Sequence, residues 1–272
     1  MNTADFDYVR NFVRNEAAIV MEPGKEYLVE SRLQTLTRKE NLNSLEALIS
    51  KLRSNPRNGL HRKVVDAMTT NETSFFRDLH PFEALRKTIL PELIARRAVE
   101  RQLHFWCGAA STGQEPYSVM MLIAEHFPEL LQWDFKFIAT DLCTEVLARA
   151  RSGCYNQLEV NRGLPASLLV KYFACHGTEW EFSGDLRRRV DFREMNLAKD
   201  WLCLPPLDII CLRNVMIYFD VETKKAILAK ARRLLRPGGY LLLGGAETTF
   251  NLDDEFERVT FDKTTCYRVK PA

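Results

Sequence analysis

Trp106-Cys107-Gly108-Ala109-Ala110-Ser111-Thr112-Gly113-Gln114-Glu115-Pro116 decides the fold. It passes from an apolar run, Leu103-His104-Phe105-Trp106, through a loop of small residues into a helical stretch over 116–126 with Pro in its first turn. Strand, small-residue loop and helix in that order form the first βα unit of a doubly wound sheet, whose loop lets backbone approach a ligand at the carboxyl edge. Working outward, Phe135-Lys136-Phe137-Ile138-Ala139 reads as a second strand, and Thr144 as the cap of a helix through Arg151. Leu207-Asp208-Ile209-Ile210-Cys211-Leu212 has the continuous apolar character of a buried parallel strand. A helix over 221–235, a Pro237-Gly238-Gly239 turn and a strand Tyr240-Leu241-Leu242-Leu243 complete a β-α-β-α rhythm. Between Ser152 and Val190 the rhythm breaks. Trp180-Glu181-Phe182, Gly184 and Arg187-Arg188-Arg189 before Val190-Asp191-Phe192 predict short antiparallel strands inserted in the α/β unit.

Residues 1–70 read differently. Phe6, Val9, Phe12 and Val13 recur at helical spacing, Pro23-Gly24 interrupts, and Leu28, Leu33 and Leu36 resume it. Ser44 is placed to cap a third helix carrying Leu45, Leu48, Ile49 and Leu52, stopped by Asn55-Pro56, and Val64, Val65 and Met68 mark a fourth. A small all-α domain is expected.

Composition excludes several function classes. With 272 residues, 46% hydrophobic and 27% charged, the chain can bury a real core, so disorder and fibrous structures are ruled out. No apolar run approaches the roughly 18 residues of a membrane span, and Met1-Asn2-Thr3-Ala4-Asp5 does not open a signal peptide. A cytoplasmic protein without membrane insertion is expected. Cys107, Cys143, Cys154, Cys175, Cys203, Cys211 and Cys266 are odd in number and form no C-x-x-C pair, and no two histidines stand at ligand spacing. That favours reduced thiols and no metal. A net charge of +2 disfavours nucleic acid as substrate, because gripping a phosphate backbone calls for a strongly basic domain.

The chemistry starts at Gly108 and Gly113. A Walker loop has glycines at this separation but continues with Lys and Ser/Thr, where this chain has Gln114-Glu115. A carboxylate there repels phosphate and suits a ligand with an amino group. Asp141, just past the second strand, stands where such folds place an acid for ribose hydroxyls; the plainer alternative is a helix-capping Asp. A nucleoside with an amino-acid tail and no phosphate is S-adenosylmethionine. The segment Leu234-Leu235-Arg236-Pro237-Gly238-Gly239-Tyr240-Leu241-Leu242 resembles a recurrent signature of class I methyltransferases. The Asn/Asp-Pro-Pro-Tyr motif common in nitrogen methyltransferases is replaced by Arg213-Asn214-Val215-Met216-Ile217-Tyr218.

A second constellation, Asn71-Glu72-Thr73-Ser74-Phe75-Phe76-Arg77, read alone is a linker with a solvated Arg77 paired to Asp78. Taken with Thr69-Thr70 before it, with 110–118, with Ala148-Arg149-Ala150-Arg151-Ser152-Gly153-Cys154-Tyr155 and with 211–219, it closely resembles the chemotaxis receptor glutamate methyltransferases, the CheR family, nearly end to end. The resemblance implies a helical receptor-docking domain (1–70), a linker contributing to the cofactor site (71–77) and a catalytic domain (78–272). The last is a class I S-adenosylmethionine-dependent, Rossmann-like domain with an antiparallel β-subdomain inserted at about 173–190. It implies methylation of glutamate side chains on the cytoplasmic helical bundle of chemoreceptors, giving γ-methyl esters and S-adenosylhomocysteine. Carried onto matching positions, Asn71, Thr73 and Arg77 hold the cofactor from the linker, with Glu115 near its methionine part and Asp141 on its ribose. Asn196-Leu197 lie by the adenine, Arg213-Asn214 complete the pocket, and Arg77 and Tyr218 flank the transferred methyl.

Departures are few. Gln114 stands where the family often has Glu, and the stretch 172–196 is shorter than in members that bind a tethering peptide at the receptor's extreme C-terminus, which speaks against tethering here. Two alternatives share the pocket: a carboxyl O-methyltransferase for a small acid, and an adaptor that binds cofactor without turnover. Lys25, Arg32 and Lys39 repeat every seven residues, within about 40° of one another on a helix, and are the candidate receptor-docking cations. The plain alternative is that they cover leucines while their heads reach water. A regulatory protein is a further conceivable partner of the helical domain.

Overall fold

The computed structural model describes residues 1–54 and 59–270. Contacts divide the chain into two units, Met1–Thr70 with Tyr218–Thr223, and Asn71–Ile217 with the chain from Lys224 onward.

Among the described residues, the first unit contains the helices Thr3–Ala17, Glu26–Lys39, Leu45–Ser54 and Gly59–Met68. Asn2 caps the first by accepting the Asp5 amide at 2.8 Å, and Ala18 ends it in left-handed backbone. Ser44 caps the third as expected, its Oγ accepting the Ala47 amide at 3.2 Å; Asn55-Pro56 lies outside the described residues. Phe6, Val9, Val13, Leu33, Leu48, Ile49, Leu52 and Val64 form the core. In the second helix Val29, not Leu28, joins Leu33 and Leu36 on the buried face, because 29, 33 and 36 lie on one side of a 3.6-residue helix and 28 turns outward. Residues 218–223 belong to this unit through the Val20 amide, which donates to the Tyr218 carbonyl at 2.9 Å, and through Arg14, which donates to Asp220 at 2.8 Å.

The second unit contains β1 (Gln102–Gly108), β2 (Asp134–Asp141), β3 (Cys154–Asn156), β4 (Phe173–His176), β5 (Glu179–Phe182), β6 (Val190–Glu194), β7 (Leu207–Leu212), β8 (Leu235–Leu243), β9 (Phe256–Phe261) and β10 (Thr264–Val269). Seven of these make one sheet in the order β6-β2-β1-β7-β8-β10-β9. β6, β2, β1, β7 and β8 run parallel, and β10 is antiparallel to β8 and β9. Parallel neighbours require crossovers, supplied by helices such as Gln114–His126, Thr144–Ser152 and Val221–Leu234. β7 is buried throughout, and Asp208 within it is fully buried yet held by Arg97 at 2.9 Å, Arg236 at 3.1 Å and the His104 amide at 2.9 Å.

The insertion differs from its expected limits of 173–190. β3, β5 and β4 form the separate antiparallel sheet, so its first strand lies at 154, and Val190-Asp191-Phe192 belongs instead to β6, the parallel edge of the main sheet. Alternation of buried Val190 and Phe192 with exposed Asp191 is what any edge strand shows, so period alone could not assign the sheet. Pro237-Gly238-Gly239, expected as a turn, is an irregularity inside β8. Leu207 faces Leu235 but Ile209 faces Tyr240, and the Gly238 carbonyl accepts from Arg96 at 2.7 Å. Thr144 is the first helical residue; Cys143 occupies the cap position and makes no side-chain cap bond. The helical stretch made of His80–Ala84, Leu85–Ile89 and Leu90–Arg96, and the β9–β10 hairpin, were not anticipated.

Candidate active site

β1 ends in Gly108, where a Cβ would meet the end of the Leu212 side chain at 2.5 Å, so a larger residue would have to displace that buried leucine. Beyond it Ala109 and Ser111 adopt left-handed backbone (φ 57° and 51°) and Gly113 lies at 93°. Of the eleven non-glycine residues in that region among the described residues, six fall in three segments: Phe76, Asp78 and Leu79; Ala109 and Ser111; and Asn214. Such strain persists only where surrounding bonds over-determine it, and it concentrates at functional sites.

Those bonds are visible. Asp141, at the end of β2 and 7% exposed, accepts the Ser111 amide at 2.8 Å and the Cys143 amide at 2.9 Å. One carboxylate thus fixes both the small-residue loop and the residue before the next helix, so the helix-capping alternative accounts only for the bond to Cys143. The Ser111 hydroxyl donates to the Asn71 carbonyl at 2.7 Å, which ties the linker to the loop. The linker is anchored further along. Phe75 is fully buried, edge-on to Tyr155 at 5.1 Å and Phe173 at 5.7 Å, and the Phe76 amide donates to the Ser118 hydroxyl at 2.9 Å. A Cβ on Gly163 would stand 2.1 Å from the Phe75 carbonyl oxygen, so glycine is needed where the chain crosses the linker.

Arg213 is a hub. Its side chain is 2% exposed, and it donates to Glu115, to the Arg77 carbonyl at 2.8 Å and to Asp78 at 2.9 Å. Burial works against its charge, but Glu115, with Cys211 and Asp78, outweighs this and raises its pKa. The other Glu115 oxygen accepts from the Cys107 thiol at 3.3 Å, and burial followed by the Glu115 charge pushes that thiol well up. The Arg77–Asp78 pair of the plain linker reading is not formed: Asp78 pairs with Arg213, and Arg77 donates one N–H to the Glu72 carbonyl at 3.0 Å. Glu72 in turn meets Arg162, whose hydrogen bond holds its carboxyl below the usual range.

The Met195 amide donates to the Asp141 carbonyl at 2.9 Å, which brings Asn196 and Leu197 beside the end of β2. Asn196 accepts the Ala198 amide at 2.9 Å, and Leu197 is 7% exposed. Asn71, Thr73, Arg77, Glu115, Asp141, Asn196, Leu197, Arg213 and Asn214 all belong to the second unit, at or beside the carboxyl edge of β1, β2, β6 and β7; Tyr218 falls in the first unit. The donor set fits S-adenosylmethionine rather than a phosphorylated cofactor. Two carboxylates flank the glycine loop, and Glu115 and Asp78 already balance the buried cation Arg213.

One residue was missed. The Glu247 carboxylate accepts four backbone amides, from Asn214 at 2.7 Å, Val215 at 2.9 Å, Met216 at 2.6 Å and Gly244 at 2.6 Å. It clamps the loop after β7 to the loop after β8. Only its position shortly after an apolar strand could have signalled this.

The docking cations are not a uniform free stripe. Arg32 donates to the Met68 carbonyl at 2.7 Å and to the Thr70 hydroxyl at 2.9 Å, and burial lowers its pKa; Lys25 pairs with Glu22 at 3.3 Å. Arg32 thus holds the end of the helical unit together, a structural role that differs from a head reaching water. Lys39 is exposed near the end of its helix.

No helix among the described residues is long and apolar enough to cross a membrane. Residues 4–69 match the CheR methyltransferase all-alpha domain, and residues 71–265 the CheR methyltransferase SAM binding domain. The chain is 41% identical over 272 residues to chemotaxis protein methyltransferase 1 of Pseudomonas aeruginosa, covering 98% of each chain. It is 39% identical to chemotaxis protein methyltransferase Cher2 of Pseudomonas putida, again over 98% of each chain. To chemotaxis protein methyltransferase 1 of Vibrio cholerae it is 38% identical over 97% of this chain and 96% of that one. The chain belongs to the CheR family of S-adenosylmethionine-dependent methyltransferases.

Proposed function

We propose that the protein methylates glutamate side chains on the cytoplasmic helical bundle of chemoreceptors, forming γ-methyl esters, and that it acts in the cytoplasm. The observation that carries the proposal is the strapped site: Ser111 bonds both the Asn71 carbonyl of the linker and, through its amide, Asp141. This joins the linker to a loop and acid suited to a nucleoside with an amino-acid tail. When bound, S-adenosylmethionine supplies a sulfonium-activated methyl group.

The rest falls to the protein. A glutamate with pKa near 4.3 is almost wholly ionised at neutral pH, so its carboxylate is already the nucleophile and no general base is needed. The difficulty is to orient a strongly hydrated anion and exchange its water for fixed donors. Arg77 keeps part of its guanidinium fork available beyond its one bond to Glu72, and a fork suits a carboxylate. Tyr218 offers a hydroxyl. Attack removes the negative charge of the carboxylate, so Arg77 must position the anion more than it stabilises it. The roles of Asn71, Thr73, Glu115, Asp141, Asn196, Leu197, Arg213 and Asn214 toward cofactor belong to this proposal, as does docking of receptor on the helical unit through Lys25 and Lys39. A small-acid methyltransferase would have no use for that unit.

The test is methylation of a chemoreceptor cytoplasmic fragment, with the modified residues located by mass spectrometry. Methyl on glutamate side chains, absent when those glutamates are replaced by alanine, supports the proposal. Transfer to small acids but to no receptor fragment would replace it.

A further inference from the structure

A cleft of about 390 Å³ opens beside Arg213. Because β10 runs antiparallel to β8, the β9–β10 turn rises at the same edge as the carboxyl end of β8, and this turn and the Gly244–Thr248 loop form the walls. Arg213, Glu247, Thr248, Arg258, Lys263 and Thr265 line it. Its carboxylates are already engaged: Asp78 pairs with Arg213, and Glu247 receives four amides. Its exposed cations are not balanced in this way. Arg258 donates to the Thr265 hydroxyl at 3.0 Å, and neither Arg258 nor Lys263 has an ion pair among the described residues. Two wall atoms are buried without a hydrogen-bond partner, Oγ1 of Thr264 and Nε of Arg213, in residues 6% and 7% exposed. Two exposed cations without an ion pair, beside two buried polar atoms without a partner in one concave site, suit an anionic oxygen ligand.

We propose that this cleft binds a second carboxylate of the acceptor segment, an aspartate or glutamate side chain near the glutamate being methylated. The inference rests on the proposed function for the identity of the occupant. Arg213 joins the two sites, since it also holds Glu115 and the end of the linker. An acceptor helix anchored here by one acidic side chain is held in register, so that a neighbouring glutamate is presented for reaction. The cations are exposed, so the contribution is specificity and encounter rate more than raw affinity.

The experiment uses the full chain with Arg258→Ala and Lys263→Ala combined, and separately Lys263→Glu. Two probes are used: a glutamate-rich peptide titrated by calorimetry, and a chemoreceptor cytoplasmic fragment in steady-state methylation. The expected result is peptide affinity about three- to tenfold weaker in the double variant, with KM for the fragment raised by a similar factor. The salt dependence should flatten, while kcat and S-adenosylhomocysteine affinity stay within about twofold. Peptide affinity and fragment KM equal to wild type would overturn the inference. Equal loss of S-adenosylhomocysteine affinity would also overturn it, because the cleft would then serve the cofactor's own carboxylate. If wild type bound the peptide through these cations but methylated no receptor fragment, the proposed function would fail while the anion site stood.

Discussion

Glu247→Ala is the perturbation whose effect the geometry specifies most fully. It removes one acceptor from four amides, three in the Asn214-Val215-Met216 loop and one at Gly244. A hydrogen bond to a charged acceptor contributes about 1.5–3 kcal/mol net. Glu247 is only half-buried and lines the cleft beside β8, so water can take over part of the set. A loss equal to one or two net bonds, about 3 kcal/mol, is therefore the working magnitude. If that loss appears as disorder of the Arg213–Asn214 loop, S-adenosylhomocysteine affinity falls about a hundredfold, since each 1.4 kcal/mol is a factor of ten. Glu247→Gln keeps the size but turns one end of the group into a donor facing two amide donors, so it should lose nearly as much. Calorimetry with S-adenosylhomocysteine, paired with thermal unfolding, makes the measurement. The expected pattern is a large fall in affinity with a modest shift in Tm. Wild-type affinity in both variants would refute the clamp, and a collapse of Tm without selective loss of binding would reduce Glu247 to a general support of the fold.

Other consequences follow from the same contacts. Gly163→Ala places a Cβ 2.1 Å from the Phe75 carbonyl and also strains a φ of 89°, so the linker must shift; cofactor affinity should fall at least tenfold, and an unchanged isotherm would sink the anchoring role given to Phe75. Arg77→Ala should lose most turnover and Arg77→Lys should remain impaired, because an ammonium cannot reproduce the fork, while Tyr218→Phe should lower kcat with little effect on cofactor affinity. Normal receptor methylation by Arg77→Ala or Tyr218→Phe would remove that residue from catalysis. His104 lies at the amino edge of the sheet, and burial lowers its pKa. A base with a lowered folded pKa leaves the unfolded chain binding more protons, so stability should fall as pH drops below the unfolded value near 6.5 toward the lower folded one. Thermal unfolding of wild type and His104→Gln across that window checks this, with the slope expected to shrink in the variant.

The α/β rhythm was legible because buried parallel strands are long apolar runs: 207–212 coincides with β7, and 135–139 lies within β2. Ser44 was legible as a cap because capping is local. Non-local facts were not. The sheet to which Val190-Asp191-Phe192 belongs depends on its neighbour, and the β9–β10 hairpin carries polar residues that hide its alternation. At the site, Asp141 and Glu115 could be read as acids after a strand and a glycine loop. Their partners could not, since Ser111 and Arg213 reach them only in the folded chain. Arg32 shows the converse. Its seven-residue spacing from Lys25 and Lys39 suggested a shared surface, yet its guanidinium closes on Met68 and Thr70, thirty-six and thirty-eight residues away.

The most direct test of the central claim follows labelled methyl from S-adenosylmethionine into a purified chemoreceptor cytoplasmic fragment. The account predicts label on the fragment without added metal, released as methanol by mild base, since γ-methyl esters hydrolyse and N-methyl groups do not. Base-stable label, or no label on receptor with a protein that binds S-adenosylhomocysteine normally, would contradict it.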